Sequence, residues 1–428
     1  MTAIHHDERA TSRQEEAAAW LARDEVALAS VLGRITDLVA VSGEGAWLVD
    51  VEGRRTLDFA SGIAVTNVGH CHPRVVAAVQ EQAATLLHTS VTTHHTRSIE
   101  LAERLRDLTP YLEDPQVFFC NTGAEAVDGT LKLARRATGK PGIVAFRRAF
   151  HGRTLAATSL TTAKGKYREG YEPLLPSVTI APWCDPLHTS VDEALASLDE
   201  LLTLQSPGAN VGVMIVEPVL GEGGYVVPPV AWLEGLRARC DEHGILLAFD
   251  EVQCGAGRTG RFFAAETFGV TPDAILFAKG IASGLPLGGI IAPRAVMERW
   301  PTGAHGSTFG GNPVACAAAI ATLDVLADED LLERCRSLGE VAVARLQAAT
   351  DGSPAVREVR GVGLMVGVEL ASAEACARVQ RRCLADGLLV LTCGPAENVL
   401  RLIPPLTLTD DELAHGLAVL TSALAAEA

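Results

Sequence analysis

The chain has 428 residues, of which 48% are hydrophobic and 21% charged, enough to bury a large core and ordinary for a globular enzyme. A net charge of −16 argues against nucleic acid or anionic membrane as the main partner. No apolar run reaches the length of a membrane span, the polar N-terminus lacks a signal peptide's apolar core, and the ten cysteines scatter without a C-x-x-C pair. These features predict a cytoplasmic enzyme with buried thiols and no metal site.

In chain order, residues 1–15 are expected to be disordered, and residues 16–35 carry apolar side chains at helical spacing. Val39, Ala40 and Val41 read as core. Residues 47–50 and 56–59 flank the turn Glu52-Gly53-Arg54 and read as a hairpin. The histidines of Gly69-His70-Cys71-His72-Pro73 imitate metal ligands, but their crowding and the proline favour a turn. From about 75 to 325, helices (97–108, 124–137, 192–204, 229–243, 312–327) alternate with short apolar strands (116–119, 142–146, 211–216, 245–249, 274–278). That alternation predicts an α/β fold with a mainly parallel sheet covered by helices. The remainder gives helices at 331–349, 373–386 and 410–425 and strands near 362–369 and 399–403. The restart of helices and strands there places a domain boundary near 325.

The chemistry gathers at strand ends. The strands at 245–249 and 274–278 end in Asp250-Glu251 and in Lys279. A carboxylate and an amine there are costly to bury unpaired. Either they form a buried salt bridge, or a ligand lies between them. A buried lysine loses its charge easily and then forms Schiff bases, and a carboxylate against a pyridine nitrogen keeps that ring protonated. Asn121-Thr122-Gly123-Ala124-Glu125 opens a helix with capping-box spacing, either as a plain cap or as a phosphate site. Phe150-His151-Gly152-Arg153-Thr154 offers a ring to stack on and an arginine for a carboxylate, or a loop with a surface arginine. Glu217 and Glu222 sit in a glycine-rich loop at another strand mouth, Ser307 and Thr308 in a second such loop, and Arg401 lies inside an apolar strand where it needs an acidic partner.

The order and spacing of these segments resemble the class III, fold type I, pyridoxal phosphate-dependent aminotransferases over residues 45–425. The likeness is nearest to bacterial 4-aminobutyrate aminotransferases, through Gly62-Ile63-Ala64-Val65, the Phe150–Thr154 motif, Gly221-Glu222-Gly223-Gly224 and Cys393-Gly394-Pro395 with Asn398–Arg401. The resemblance implies an N-terminal segment, 1–65, that is part of a small domain; a large domain, 66–324, built on a mainly parallel sheet of the seven-stranded type; and a C-terminal small domain, 325–428, so that the small α+β domain comes from both chain ends. It implies that Lys279 carries the cofactor and Asp250 pairs with its ring nitrogen. Phe150 and Val252 pack on the two ring faces, and Gln253 lies near the phenolic oxygen. Gly123 and Ala124 give N–H groups to the phosphate, and Thr308 reaches the phosphate of a partner subunit. Ile63 lines the substrate pocket, Arg153 holds the distal carboxylate, and Arg401 holds the α-carboxylate. Glu222 neutralises Arg401 when an ω-amino acid is bound. The reaction implied moves the terminal amino group of an ω-amino acid to 2-oxoglutarate, giving a semialdehyde and glutamate, in a homodimer or a dimer of dimers. Acetylornithine, ornithine or a diamine as donor, an amino-acid racemase or epimerase on the same fold, and a non-catalytic cofactor-binding protein are the competing readings.

Overall fold

The structure is a computed structural model and describes residues 4–427. Its centre is a seven-stranded sheet in the spatial order Pro115–Cys120, Gly288–Pro293, Ala274–Phe277, Leu246–Asp250, Val211–Val216, Gly142–Phe146, Val178–Ala181. Gly288–Pro293 runs antiparallel to both neighbours, and the five strands beyond it are parallel. Runs such as Val211–Val216 are apolar throughout because both faces are covered. Successive side chains alternate between the two layers. Val144, Phe146, Met214, Val216, Leu247 and Phe249 enter one core, while Ile143, Ala145, Val213, Ile215 and Ala248 enter the other.

Parallel pairing sends the loops after Phe146, Val216, Phe249 and Phe277 out of the same sheet edge, where α/β proteins place their ligands. Helix Gly123–Thr138 covers the sheet with its N-terminus at that edge. Thr122 accepts from the Glu125 N–H at 3.2 Å, and Gly139 closes the helix at φ 72°.

Both chain ends meet in a second sheet. Strand Leu388–Leu389 pairs in parallel with Arg55–Asp58, setting Leu388 against Leu57 and Leu389 against Asp58. Beside it, Val356–Val362, Met365–Leu370, Val399–Leu402 and Leu391–Cys393 form a four-stranded antiparallel sheet that carries Arg401. Arg258, fully buried, joins the layers. It donates to the carbonyls of Leu364 (3.2 Å) and Pro404 (2.6 Å) and to Asn67 Oδ1 (2.8 Å).

Several expectations are corrected. A helix runs over Ile4–Ala27, where residues 1–15 were expected to be disordered and a helix was expected at 16–35; residues 1–3 lie outside the described residues. Val31, Leu32 and Ile35 follow that helix and are 75%, 52% and 54% exposed, with nothing among the described residues covering them. Val39, Ala40 and Val41 are not core. Ala40 opens the edge strand Ala40–Glu44, and Val41 faces outward. The strand expected at 362–369 is a hairpin that reverses at Gly363, φ 56°. His70 and His72 do turn chemistry: His70 Nε2 meets Asp58 at 2.8 Å, and His72 caps helix Pro73–Thr85.

Candidate active site

Strand ends at the shared edge enclose a cavity of about 350 Å³. Gly123, Ala124, Phe150, Glu217, Asp250, Val252, Gln253 and Lys279 all line it. Seven of the positions expected from the sequence therefore converge in one place. Thr308, Ile63, Arg153, Glu222 and Arg401 do not line it. A larger cavity of about 620 Å³ lies between Thr259–Thr267 residues and helix Leu331–Thr350, but no buried lysine or acid of the sheet edge reaches it.

Asp250 ends its strand almost fully buried. Its Oδ2 lies 2.7 Å from His151 Nδ1, and its Oδ1 accepts from the Val252 N–H at 3.1 Å. These contacts fix the carboxylate and leave it facing the void. His151 is buried, and its Nε2 has no hydrogen-bond partner among the described residues. Burial disfavours its charged form, but the hydrogen bond and charge of Asp250, with the charge of Glu217, outweigh that and raise its pKa. Glu217 accepts from the N–H groups of Phe150 (2.8 Å) and Gly221 (2.9 Å), and burial pushes its carboxyl up to about 7.

Lys279 follows its strand with a left-handed backbone, φ 47°, strained for a residue with a side chain. Burial lowers the pKa of its amine, against the pull of the Asp250 and Glu217 charges. Among the described residues no ion pair within 4.0 Å joins Lys279 to Asp250. The two charges face one void without pairing, which removes the salt-bridge alternative. Glu251 turns away instead and accepts from the N–H groups of Ala264 and Ala265.

Above the cavity, Arg401 is buried, and its Nη1 donates to Glu222 Oε2 at 2.9 Å. Both charges act on Lys279, so the pair belongs to the same electrostatic site. Arg153 stacks its guanidinium 4.9 Å from the Tyr167 ring centroid, and that ring meets Phe150 edge-on at 5.5 Å. Ile63 is 40% exposed, and Thr308 is exposed on its loop. Four contributors carried no assigned role in the sequence. His151 and Glu217 lie inside motifs whose neighbours drew the attention. Lys164 and Tyr167 bind Glu222 from the short 3-10 turn Gly165–Tyr167 and its start, and no sequence signal marks them.

The profile of the family described as Aminotransferase class-III matches residues 30–424. The chain belongs to that family, whose cofactor is pyridoxal phosphate. It is 40% identical over 403 residues to the 5-aminovalerate aminotransferase of Pseudomonas putida, covering 92% of this chain and 95% of that one. It is 40% identical over 400 residues to the 4-aminobutyrate aminotransferase of Escherichia coli (91% and 94%), and 44% identical over 386 residues to the acetylornithine aminotransferase of Methanopyrus kandleri (90% and 94%). Among solved structures, the ornithine aminotransferase of Toxoplasma gondii superposes with a TM-score of 0.88 at 30% identity, covering 96% of this chain and 95% of that one.

The cavity suits the cofactor on its own terms. A Cβ added at Gly123 would come within 2.8 Å of the Val252 methyls, and one at Gly152 within 2.7 Å of Ala124 Cβ. The backbone is thus opened at a helix start, where N–H groups favour a phosphate. An aromatic ring, a fixed carboxylate and a lysine of lowered pKa complete a set that matches a phosphorylated pyridine aldehyde.

Proposed function

We propose that this aminotransferase takes the terminal amino group of a 4-aminobutyrate- or 5-aminovalerate-like ω-amino acid and passes it to 2-oxoglutarate, yielding a semialdehyde and glutamate. The observation that carries the reading is the buried Glu222–Arg401 pair at 2.9 Å. Closed, it neutralises the arginine and accepts a donor with no carboxylate beside the reacting carbon. Open, it offers Arg401 to the α-carboxylate of glutamate or 2-oxoglutarate. The two relatives acting on ω-amino acids support this donor class.

When bound, pyridoxal phosphate supplies an aldehyde for amines and a ring that accepts charge from the substrate carbon. The chain's residues take these assignments. Lys279 would hold the aldehyde in the resting enzyme, and when its amine is free of the aldehyde it would take and return the proton at the carbon that bears the transferred nitrogen. Asp250, held by His151 and the Val252 N–H, would pair with the ring nitrogen and keep it protonated. Phe150 and Val252 would hold the ring between them, and Gln253 would serve its phenolic oxygen. Gly123 and Ala124 offer N–H groups to the phosphate; Ala124 adds no hydroxyl. Arg153 takes the distal carboxylate, and Ile63 lines its approach. Thr308 serves the phosphate in a second copy, so the working unit is a homodimer with shared sites. A turning-over monomer in analytical ultracentrifugation under assay conditions would remove that last assignment.

A panel of amine donors with 2-oxoglutarate tests the whole. 4-Aminobutyrate or 5-aminovalerate should form glutamate with kcat/KM at least about tenfold above acetylornithine, ornithine and putrescine, a discrimination within reach of pocket contacts. Faster turnover of acetylornithine would transfer the function to that class, which the Methanopyrus relative represents.

A further inference from the structure

Lys164 lies outside the cavity that contains Lys279. Yet its amine stands 3.1 Å from Glu222 Oε1 and 3.1 Å from Glu397 Oε1, with 11% of its side chain exposed. Glu222 Oε1 also accepts from the Tyr167 hydroxyl at 3.1 Å, while Oε2 takes Arg401 at 2.9 Å. One carboxylate therefore bridges two cations through different oxygens. Lys166, 62% exposed, reaches Glu397 at 3.1 Å and adds its charge to the outer side.

We propose that Lys164 is a positioning residue for the oxo-acid half of the reaction, retaining Glu222 while Arg401 is taken by the substrate's α-carboxylate. This rests on the Glu222–Arg401 gate described above. In the closed state two cations, Lys164 and Arg401, face Glu222 and Glu397. 2-Oxoglutarate brings one more carboxylate to Arg401. Glu222 must then give up that arginine inside a largely buried site, where an unpaired anion is costly. Lys164 and Tyr167 already hold its other oxygen, so release from Arg401 leaves Glu222 paired and hydrogen-bonded. Burial disfavours charge on Lys164, but Glu222 and Glu397 more than offset this and raise its pKa, keeping the cation in place. A donor without an α-carboxylate leaves the gate closed and makes less demand on Lys164.

Three variants decide the matter: Lys164→Met, Lys164→Arg and, for the gate itself, Arg401→Ala. The holoenzymes are titrated calorimetrically with glutarate, a dicarboxylate that lacks the oxo group and cannot react. Lys164→Met should raise its Kd about tenfold, the scale of one lost charge-assisted hydrogen bond, and Lys164→Arg should restore it to within about threefold. In kinetics, Lys164→Met should raise KM for 2-oxoglutarate about tenfold and lower kcat/KM for the ω-amine donor by less than about threefold. If Lys164→Met binds glutarate as wild type does while Arg401→Ala binds it weakly, the role of Lys164 is wrong and the gate stands. If Arg401→Ala binds glutarate normally, the gate is wrong as well. Equal losses in both half-reactions that arginine does not rescue would reduce Lys164 to a structural residue and also overturn the proposal.

Discussion

Glu251 and Asp250 are chain neighbours with opposite duties. Asp250 faces the cavity, while Glu251 turns into the layer beneath and is held by the N–H groups of Ala264 and Ala265. Burial pushes the Glu251 carboxyl up to about 8. A carboxyl raised in the folded state binds more protons there than in the unfolded chain. Its contribution is therefore present at low pH and lost as pH rises from the ordinary carboxylate range through about 8. Denaturant unfolding between pH 5 and 9 should show a fall in stability of at most about 1.4 kcal/mol per pH unit from this group, and Glu251→Gln should flatten it. A slope unchanged in the variant would place the proton elsewhere. The adjacent acids at the strand end are visible in the sequence, but their division of labour is not, since it depends on which face each side chain takes.

The helix Gly123–Thr138 shows what an element contributes. Its start is bare of side chain where Val252 crosses it. Gly123→Ala should lower affinity for pyridoxal phosphate about tenfold, the scale of one overpacked methyl, and Val252→Ala in the same chain should recover most of the loss. Absorbance titration of the apoprotein measures both. A single variant that binds as wild type would show that the Val252 methyls yield freely. Elements of this core were legible because parallel strands buried on both faces leave unbroken apolar runs such as 211–216. Gly288–Pro293 was missed because it opens with two glycines that pack against backbone and Phe277, and helix Pro73–Thr85 because only Val75 and Gln82 of it are buried. The cavity at the sheet edge was legible because most of its lining residues sit at strand ends. The surroundings of Glu222 were not, because Lys164 and Tyr167 come from a single 3-10 turn, Gly165–Tyr167 with Lys164 at its start, too short to leave a periodic pattern.

At the scale of the molecule, Arg258 has no acid among the described residues and donates instead to Leu364, Pro404 and Asn67. Replacing it by methionine removes the donor from those three buried acceptors. Arg258→Met should cost about 3 kcal/mol or more in urea unfolding, with the midpoint shifted down. A loss below about 1 kcal/mol would mean that water reaches the vacated acceptors. The pairing of Leu388–Leu389 with Arg55–Asp58 carries a different consequence, for biosynthesis. The first hairpin leaves the ribosome early and then waits, with one edge open, until translation nears its end. At about 5–20 residues per second that wait lasts tens of seconds. Throughout it the amides of that edge pair with water alone, so the order in which the gene is read delays completion of this sheet until the last tenth of the chain is made.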